Sequence, residues 1–418
     1  MQLTDAEQAM LAGEEGPATA LAMRIVTGVA KAMQAPRLLE ITNAHVDACV
    51  YYGQAGLDFG ERLVELGGQV RVPTTLNIGL VDLLHPELSQ LDEATTDAAK
   101  RQMHAYAALG GRPTFTCAPY QLPFARPGVG EQVAWAESNA IVFVNSVLGA
   151  RTNRYGDFID ISAAITGRVP DAGLHRTEER RARVVFDVTG LSEELLASDV
   201  LYPVLGLVVG SETGEEIPVI VGLPAGTHED RLKAIGAAAA SSGAVALFHA
   251  VGSTPEAPTL EAALQGDTPS RTITVDGARL RATRDALGTA GPGAPLQAVC
   301  VGTPHASQDE LARIAAALGG DHVRVPVYVN TGRDTLAALE ERGEAQPLRD
   351  AGVTFVTDTC TYVTPLVREV RGLVMTSSAK WAYYAPGNVG VEVAFGGLEE
   401  CIRSAVLGEV WRDDGVWH

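Results

Sequence analysis

Apolar residues follow helical spacing in several stretches of the chain, and short strand-like runs come after them. From about Ala6 to Met33 the spacing is helical, and because Gly13, Gly16 and Pro17 interrupt it we expect two helices there. Further helices are predicted at 57–66, 91–109, 231–240 and 309–318, and short strands at 69–73, 114–116, 244–248 and 323–329. Alternating helices and short apolar strands predict an α/β fold with mainly parallel sheets.

Composition limits the classes of partner. The chain has 418 residues, of which 46% are hydrophobic, so it is long enough for two or three domains with an ample core. Its 32 basic and 51 acidic residues give a net charge of −19, which disfavours binding to nucleic acid. Because no apolar run approaches the ~18 residues of a membrane span, and the first residues lack a secretory signal, we expect a cytoplasmic protein with no membrane partner.

The cysteines are too far apart in the sequence to form a local metal motif. There are five, none in a Cys-x-x-Cys pair: Cys49, Cys117, Cys300, Cys360 and Cys401. In a cytoplasmic chain an odd, scattered set does not indicate disulfide bonds. Any metal must therefore be bound by residues from distant segments.

Three predicted strands end in polar or sulfur-bearing residues. The first strand is followed by Cys117. The second contains Cys300 and ends near His305, and the third is followed by Asp358 and Cys360. Ligands of open α/β sheets bind beyond the carboxyl ends of the strands, so these side chains are candidates for one shared site. Each cysteine taken alone is more typical of an ordinary buried residue. Three cysteines at strand ends favour an iron–sulfur cluster or zinc. Three sulfur ligands would leave one coordination position of the metal open to a substrate oxygen.

Two segments carry groups suited to a carboxylate. Arg151 and Arg154, with Asn153 between them, follow an apolar helical run. They either complement the end of that helix or clamp a carboxylate, and the sequence leaves both interpretations open. Ser378 is predicted to begin a helix with Lys380 in its first turn, an uncommon place for a cation that can indicate an anion site.

The order of several segments resembles the large subunit, or large domain, of the aconitase X family. The matching segments cover nearly the whole chain and are the opening Leu-Thr-Asp-Ala-Glu, Thr74–Asn77, Thr116–Tyr120, Glu137–Arg154, Gly302–Ser307, Asp358–Cys360 and Ser378–Lys380. Asn77, Glu137 and Ser307 lie in these segments and are further candidates for binding the substrate.

This resemblance implies aconitase-like α/β/α domains and an iron site. We expect residues 1–185 with 355–418 to carry Cys117 and Cys360, and residues 186–354 to form a second α/β domain. The family's cluster cysteines fall on Cys117 and Cys360. In some relatives a third cysteine occupies the position of Thr303. Cys300 lies roughly 10 Å along a strand from that position and on the other face, and it is kept as a third candidate ligand.

The resemblance also implies a dehydratase that is completed by a small swivelling domain, here expected on a separate subunit. The activities it implies are dehydration of cis-3-hydroxy-L-proline to pyrroline-2-carboxylate and, as in archaeal members, dehydration of mevalonate 5-phosphate. The acidic chain, which has no glycine-rich phosphate loop, favours the proline substrate.

The site roles follow from that reaction. His305 or Asp358 is a candidate acid for the leaving hydroxyl of this small hydroxy acid, and Lys380 a candidate for holding its carboxylate. The cofactor is either an iron–sulfur cluster, whether [2Fe-2S], [3Fe-4S] or [4Fe-4S], or a mononuclear iron. A metal-free, non-catalytic binding subunit is the remaining alternative, because Thr303 replaces a ligand.

Overall fold

Short parallel strands and the helices between them make up most of the regular structure. The computed structural model describes residues 1–366 and 372–417. These residues form two compact units: Met1–Val81 with Asp92–Arg181, and Asp82–Leu91 with the described residues from 182 onward. The α/β class with mainly parallel sheets is confirmed.

The first unit contains two sheets. Its helices are α1 (Asp5–Ala12), α2 (Pro17–Ala32), α3 (Gln54–Glu65), α4 (Glu93–Ala108), α5 (Ser138–Ser146) and α6 (Ile159–Thr166). Its strands are β1 (Leu38–Glu40), β2 (Ala44–Val46), β3 (Thr74–Leu76), β4 (Ala134–Trp135) and β5 (Arg168–Pro170). Strands β1 and β5 pair antiparallel, while β3, β2 and β4 lie side by side in that order and pair parallel.

The second unit contains two parallel sheets. Its helices are α7 (Glu193–Ala197), α8 (Leu201–Thr213), α9 (Glu229–Gly243), α10 (Leu260–Ala263), α11 (Gly277–Ala286), α12 (Gln308–Leu318), α13 (Arg333–Glu341), α14 (Ala345–Asp350), α15 (Ala379–Val389) and α16 (Leu398–Leu407). Its strands are β6 (Val184–Asp187), β7 (Pro218–Val221), β8 (His249–Ala250), β9 (Arg271–Thr274), β10 (Ala298–Ala306), β11 (Val327–Thr331), β12 (Val353–Val356), β13 (Leu373–Thr376) and β14 (Glu392–Phe395). The strand orders are β8-β7-β6-β9 and β12-β11-β10-β13-β14.

The second of these sheets has a point where the chain reverses its direction of winding. From β10 the chain proceeds outward through β11 to β12, and it then returns to pair β13 with the other edge of β10. In open α/β sheets the crevice between two such strands is where ligands bind. A core of buried apolar side chains from the strands and from α12, α13, α14 and α16 supports this sheet, among them Val299, Leu311, Leu336, Leu348 and Ile402.

This sheet also explains why the chain divides differently from the expected domains. Residues 355–418 were expected with the first domain, but β13 and β14 extend the sheet that β10 begins. The described residues of 355–418 therefore belong to the second unit, together with 296–354. The segment Asp82–Leu91 belongs to the second unit as well, although the chain on both sides of it belongs to the first.

The predicted helices are confirmed to within a few residues, and the two helices expected before Met33 begin and end at local signals. Thr4 and Glu7 form a capping box at the start of α1, Gly13 ends it in the left-handed conformation, and Pro17 opens α2. The strands were harder to place. The strands predicted at 69–73 and 244–248 are wrong, because β3 begins only at Thr74 and β8 only at His249. The segment 114–116 is not a strand either, because Phe115 has a φ of 38°. The strand predicted at 323–329 overlaps β11 in part.

Gly302 lets β10 approach β11 closely next to the crevice. Its φ is 80°, and a Cβ atom there would lie 2.2 Å from the carbonyl oxygen of Asn330. We expect Gly302→Ala to lower the free energy of unfolding by about 2 kcal/mol or more, because it adds both overpacking and an unfavourable φ. Urea unfolding measures this. Gly291→Ala is the control, since open space surrounds that position; equal losses in the two variants would refute the steric explanation.

Candidate active site

A small cavity lies at the crevice between β10 and β13. Its volume is about 50 Å³, and Gly302, Thr303, Ser377, Ser378 and Lys380 are among the residues that line it. Gly302 and Thr303 belong to β10, Ser377 and Ser378 follow β13, and Lys380 lies in the first turn of α15. The cavity therefore lies where the strand order predicts a ligand site, and it contains the predicted residues Ser378 and Lys380.

Ser378 and Lys380 are positioned by the start of α15. Ser378 is the N-cap, and its Oγ accepts a hydrogen bond from the backbone N–H of Trp381 at 3.0 Å, as predicted from the sequence. The Lys380 side chain is buried in the first turn, and its Nζ lies 5.9 Å from the centre of the Tyr362 ring. A buried ammonium near the positive end of a helix can bind an anion.

His305 and Cys360 bring a nitrogen and a sulfur donor together in the second unit. His305 lies near the end of β10 and Cys360 follows β12; both are fully buried, and their ligand atoms lie within 4.8 Å of one another. His305 Nε2 donates to the carbonyl of Thr359 at 3.3 Å. Burial lowers the pKa of His305 to about 4, so its imidazole is neutral at neutral pH. Neutral imidazole with thiolate is a donor set that suits iron or zinc.

Asp358 is held in place by charged and backbone donors. Arg333 donates to both of its carboxylate oxygens, with Nη2 2.6 Å from Oδ2, and the backbone N–H of Leu83 also donates to Oδ2 at 3.0 Å. Burial raises the pKa of Asp358 even though Arg333 opposes that rise. Because both oxygens are engaged, Asp358 is arranged to fix its own segment of backbone.

Asp82 holds the residue before Asp358. Its carboxylate accepts hydrogen bonds from the backbone N–H of Thr357 at 2.7 Å and from the hydroxyl of Thr357 at 2.9 Å. His85 Nδ1 lies 2.9 Å from the same carboxylate. Burial alone would raise the pKa of Asp82, but the hydrogen bonds from His85 and Thr357 lower it below its usual value. The bond to Asp82 in turn raises the pKa of His85.

The pairing of His85 with Asp82 predicts a pH-dependent contribution to stability. A histidine whose pKa is raised by folding contributes fully below its unfolded pKa of about 6.5, and loses that contribution as the pH rises through the folded value. We therefore expect the difference in free energy of unfolding between the native chain and His85→Gln to be largest below about pH 6.5 and to shrink as the pH rises through the raised pKa of His85. Urea unfolding at each pH tests this, and a constant difference would show that the charged pair contributes nothing.

Asn330 organises the polar groups behind the cavity. Its Nδ2 donates to the hydroxyls of Thr303 and Thr361, each at 3.2 Å, and its Oδ1 accepts from the backbone N–H of Thr361 at 3.0 Å. Thr303 is thus part of a buried network. Cys300 lies deeper in β10, where burial raises the pKa of its thiol to about 12, and it is outside the group of donors that contains His305 and Cys360.

In the first unit, Cys117 lies beside a buried network that Glu137 anchors. Asn139 Nδ2 donates to the carbonyl of Cys117 at 2.9 Å, and the Tyr120 hydroxyl donates to Asn139 Oδ1 at 2.6 Å. Glu137 accepts from the side chain of Asn139 and, as N-cap of α5, from the backbone N–H of Ala140 at 2.8 Å. The predicted residues Cys117 and Glu137 are therefore neighbours in one hydrogen-bonded network.

Asn77 lies at the carboxyl end of β3 in the same unit. Its Nδ2 donates to Asp47. His45, on the neighbouring strand β2, shares a 2.9 Å hydrogen bond with Thr75 through Nδ1. Burial lowers the pKa of His45 to about 3, although the side chain of Asn77 and the backbone of Thr75 oppose that lowering. Asn77 and His45 are therefore buried neighbours at adjacent strand ends.

The arginine segment is largely engaged in the architecture of the first unit. Arg151 Nη1 donates to the carbonyl of His175 at 3.2 Å, and Asn153 donates to the carbonyl of Ala172 at 3.0 Å. Arg154 is exposed. Of the two interpretations that the sequence leaves open, these contacts favour a structural role for Arg151 and Asn153.

Ser307 caps α12 instead of lining the cavity. Its hydroxyl accepts from the backbone N–H of Glu310 at 3.1 Å and donates to Asp230 at 2.8 Å. Lys233, which is buried, bridges Asp230 and Glu310 at 3.1 and 2.5 Å. His228 and Asp309 lie close to Asp230 and, with it, form a second group of potential metal ligands, but the ammonium on Asp230 makes this an ion-pair cluster.

Sequence reasoning missed the residues that hold the strand ends. Asp82, Arg333 and Asn330 each hold a residue of the site by hydrogen bonds. Their partners are far away in the sequence: 275 positions for Asp82, 25 for Arg333 and 27 for Asn330. None of them belongs to a recognisable motif. The one available signal is that Asn330 directly follows the predicted strand at 323–329 and that Arg333 lies three residues further along.

Parallel α/β sheets with sulfur and imidazole groups at their strand ends and an ammonium at the start of a neighbouring helix are typical of an enzyme that acts on a small molecule. The Aconitase X first, second and third domains match residues 1–178, 182–285 and 296–407. The chain belongs to the aconitase X family. Within the described residues, no helix combines the length and apolar character needed to cross a bilayer.

The relatives are dehydratases. The chain is 45% identical over 407 residues to cis-3-hydroxy-L-proline dehydratase of Pseudomonas aeruginosa, covering 96% of this chain and 69% of that protein. It is 36% identical to the phosphomevalonate dehydratase large subunit of Methanothermobacter thermautotrophicus, covering 95% of this chain and 97% of that one. The crystal structure of Thermococcus kodakaraensis aconitase X in its holo-form superimposes with a TM-score of 0.87 at 32% identity, covering 97% of this chain and 100% of that one.

Proposed function

We propose that this protein dehydrates cis-3-hydroxy-L-proline to pyrroline-2-carboxylate. Its similarity supports this substrate, since the two relatives named for that activity are 45% and 40% identical, whereas those named for phosphomevalonate dehydration are 31–36% identical. The observation that carries the proposal is the pairing of His305 and Cys360, two buried metal-type donors, in the unit that also contains the Lys380 cavity.

We propose iron as the cofactor, as an iron–sulfur cluster or a single ion. Cys117 and Cys360 would supply thiolates, and His305, in place of Cys300, would supply a neutral imidazole. The donor chemistry fits, because buried sulfur and imidazole bind iron well. When bound, the iron supplies a Lewis acid that weakens the carbon–oxygen bond of the leaving hydroxyl.

The protein's own groups bind and orient the substrate in this proposal. Lys380 and the Ser378 segment would hold the carboxylate, because a buried ammonium at a helix start suits an anion. Asn77 and Glu137 remain candidates for binding the substrate, with Arg154 as the remaining arginine candidate. The lowered pKa of His305 supports a role as a ligand or hydrogen-bond donor in preference to the role of an imidazolium acid. Asp358 is proposed to act as a positioning residue.

A small swivelling-domain subunit is the proposed partner. Several relatives are named large subunits, and this chain spans 97–100% of the length of four of them: those of Methanothermobacter thermautotrophicus, Methanosarcina mazei, Thermococcus kodakarensis and Methanocaldococcus jannaschii. That coverage is also the observation that favours the second candidate, dehydration of mevalonate 5-phosphate.

Assays of both substrates separate these functions. The chain would be purified without oxygen together with a candidate small subunit, and formation of pyrroline-2-carboxylate or loss of mevalonate 5-phosphate would be followed. We expect turnover of cis-3-hydroxy-L-proline. Turnover of mevalonate 5-phosphate alone would support the second candidate, and inactivity of the iron-loaded complex with both substrates would support a binding subunit.

A further inference from the structure

The segment between β12 and Cys360 adopts a conformation that other residues must maintain. After Val356 the chain passes through Thr357 and then Asp358, whose φ of 58° lies in the left-handed region that is unfavourable for most residues with a side chain. Thr357, Asp358, Thr359 and Cys360 are all fully buried. Aspartate adopts this conformation more readily than most residues, and contacts with the surroundings offset the remaining cost of the buried turn.

Asp82 fixes the first residue of this turn. Its carboxylate accepts from both the backbone N–H and the hydroxyl of Thr357, so it constrains the backbone and the side chain of that residue together. The carboxylate also accepts from the backbone N–H groups of Leu84 and His85, at 2.9 and 3.0 Å. The Asp82 side chain is therefore itself rigidly placed by its own loop.

Arg333 fixes the second residue. It is the first residue of α13, and its guanidinium donates to both oxygens of Asp358 in a bidentate pair. A bidentate arginine–carboxylate contact sets orientation as well as distance. The backbone N–H of Leu83, next to Asp82, completes the hold on Asp358.

Both candidate iron ligands of this unit depend on the turn. Cys360 is its last residue, and His305 donates to the carbonyl of Thr359 within it. We propose that Asp82 and Arg333 are positioning residues that hold the Thr357–Cys360 turn, and thereby set the positions of the Cys360 thiol and the His305 imidazole for binding iron. The link to iron binding rests on the proposed function. The claim that Asp82 and Arg333 hold the turn does not.

The chemical reactivity of Cys360 tests the structural part without iron or substrate. In metal-free folded protein, iodoacetamide alkylation of each cysteine would be followed by peptide mass spectrometry. We expect Arg333→Gln and Asp82→Asn to speed alkylation of Cys360 by about tenfold or more, equivalent to about 1.4 kcal/mol of lost protection. Alkylation of Cys300 and Cys401, which are equally buried, should remain at the rate of the native chain.

Arg342→Gln is the matched control, because Arg342 is an exposed arginine of the same unit that pairs with Glu344. It should leave all alkylation rates unchanged. Arg333→Lys, which keeps the charge but loses the bidentate geometry, should give an intermediate rate for Cys360. After iron reconstitution, Arg333→Gln should hold less iron per chain than the native protein.

An unchanged alkylation rate of Cys360 in both Arg333→Gln and Asp82→Asn would overturn the proposal. So would an equal rise in the alkylation rates of Cys300, Cys360 and Cys401, which would indicate general loosening of the fold. Full iron content in both variants would overturn the link to metal binding. The proposed function can fail separately, since an inactive, iron-free native chain would still show the selective exposure of Cys360 if the turn is held as described.

Discussion

Replacing Cys360 by serine is expected to remove more than about 99% of dehydratase activity while the fold is retained. Loss of an outer hydrogen-bonding partner of a metal ligand already costs 10- to 100-fold in metal affinity or activity, so loss of a thiolate ligand should cost more. The measurement is steady-state turnover of cis-3-hydroxy-L-proline, with circular dichroism to verify folding. Cys117→Ser is expected to have the same effect.

Cys401→Ser is the control for these substitutions. Cys401 is buried in the core of the same unit as Cys360, and it is not among the grouped donors. The control variant should therefore lose stability but keep its iron and most of its turnover. If Cys360→Ser were as active as Cys401→Ser, Cys360 would not be a ligand that the reaction needs.

Replacing Lys380 by methionine is expected to raise KM for the substrate about 10- to 100-fold. A hydrogen bond to a charged group contributes roughly 1.5–3 kcal/mol, and methionine retains the volume of lysine but not its ammonium. The measurement is the dependence of turnover on substrate concentration, with iron content determined in parallel. Iron content should be unchanged, which distinguishes a substrate-binding role from a role at the metal.

Lys31→Met is the matched control, because Lys31 is exposed near the end of α2. It should leave KM as it is in the native chain. A Lys380→Met variant with an unaltered KM would place the substrate carboxylate elsewhere, and Arg154 would become the next residue to test.

The sequence predicted those parts of the site that depend on local signals. Ser378 as a helix cap with Lys380 in the first turn follows from residue types within three positions of one another, and the structure has both. The helices were predictable for the same reason. The domain grouping was not, because the pairing of β13 with β10 joins segments about 75 residues apart and leaves no local pattern.

The residues that position the ligands were also beyond sequence reasoning. Asp82 reaches Thr357 across 275 residues, and Arg333 reaches Asp358 across 25 residues and an intervening strand. The sequence offers Asp358 as a possible acid because it lies at a predicted strand end, whereas in the structure both of its oxygens accept hydrogen bonds from Arg333. Only the three-dimensional contacts distinguish a carboxylate that donates a proton from one that anchors the backbone.

Removal and restoration of iron test the central claim most directly. Dehydratase activity of the oxygen-free complex would be measured before treatment with an iron chelator, after removal of the iron, and after reconstitution with iron and sulfide. We predict that turnover disappears with the metal and returns with it. Undiminished turnover of cis-3-hydroxy-L-proline by the demonstrably iron-free complex would contradict the account.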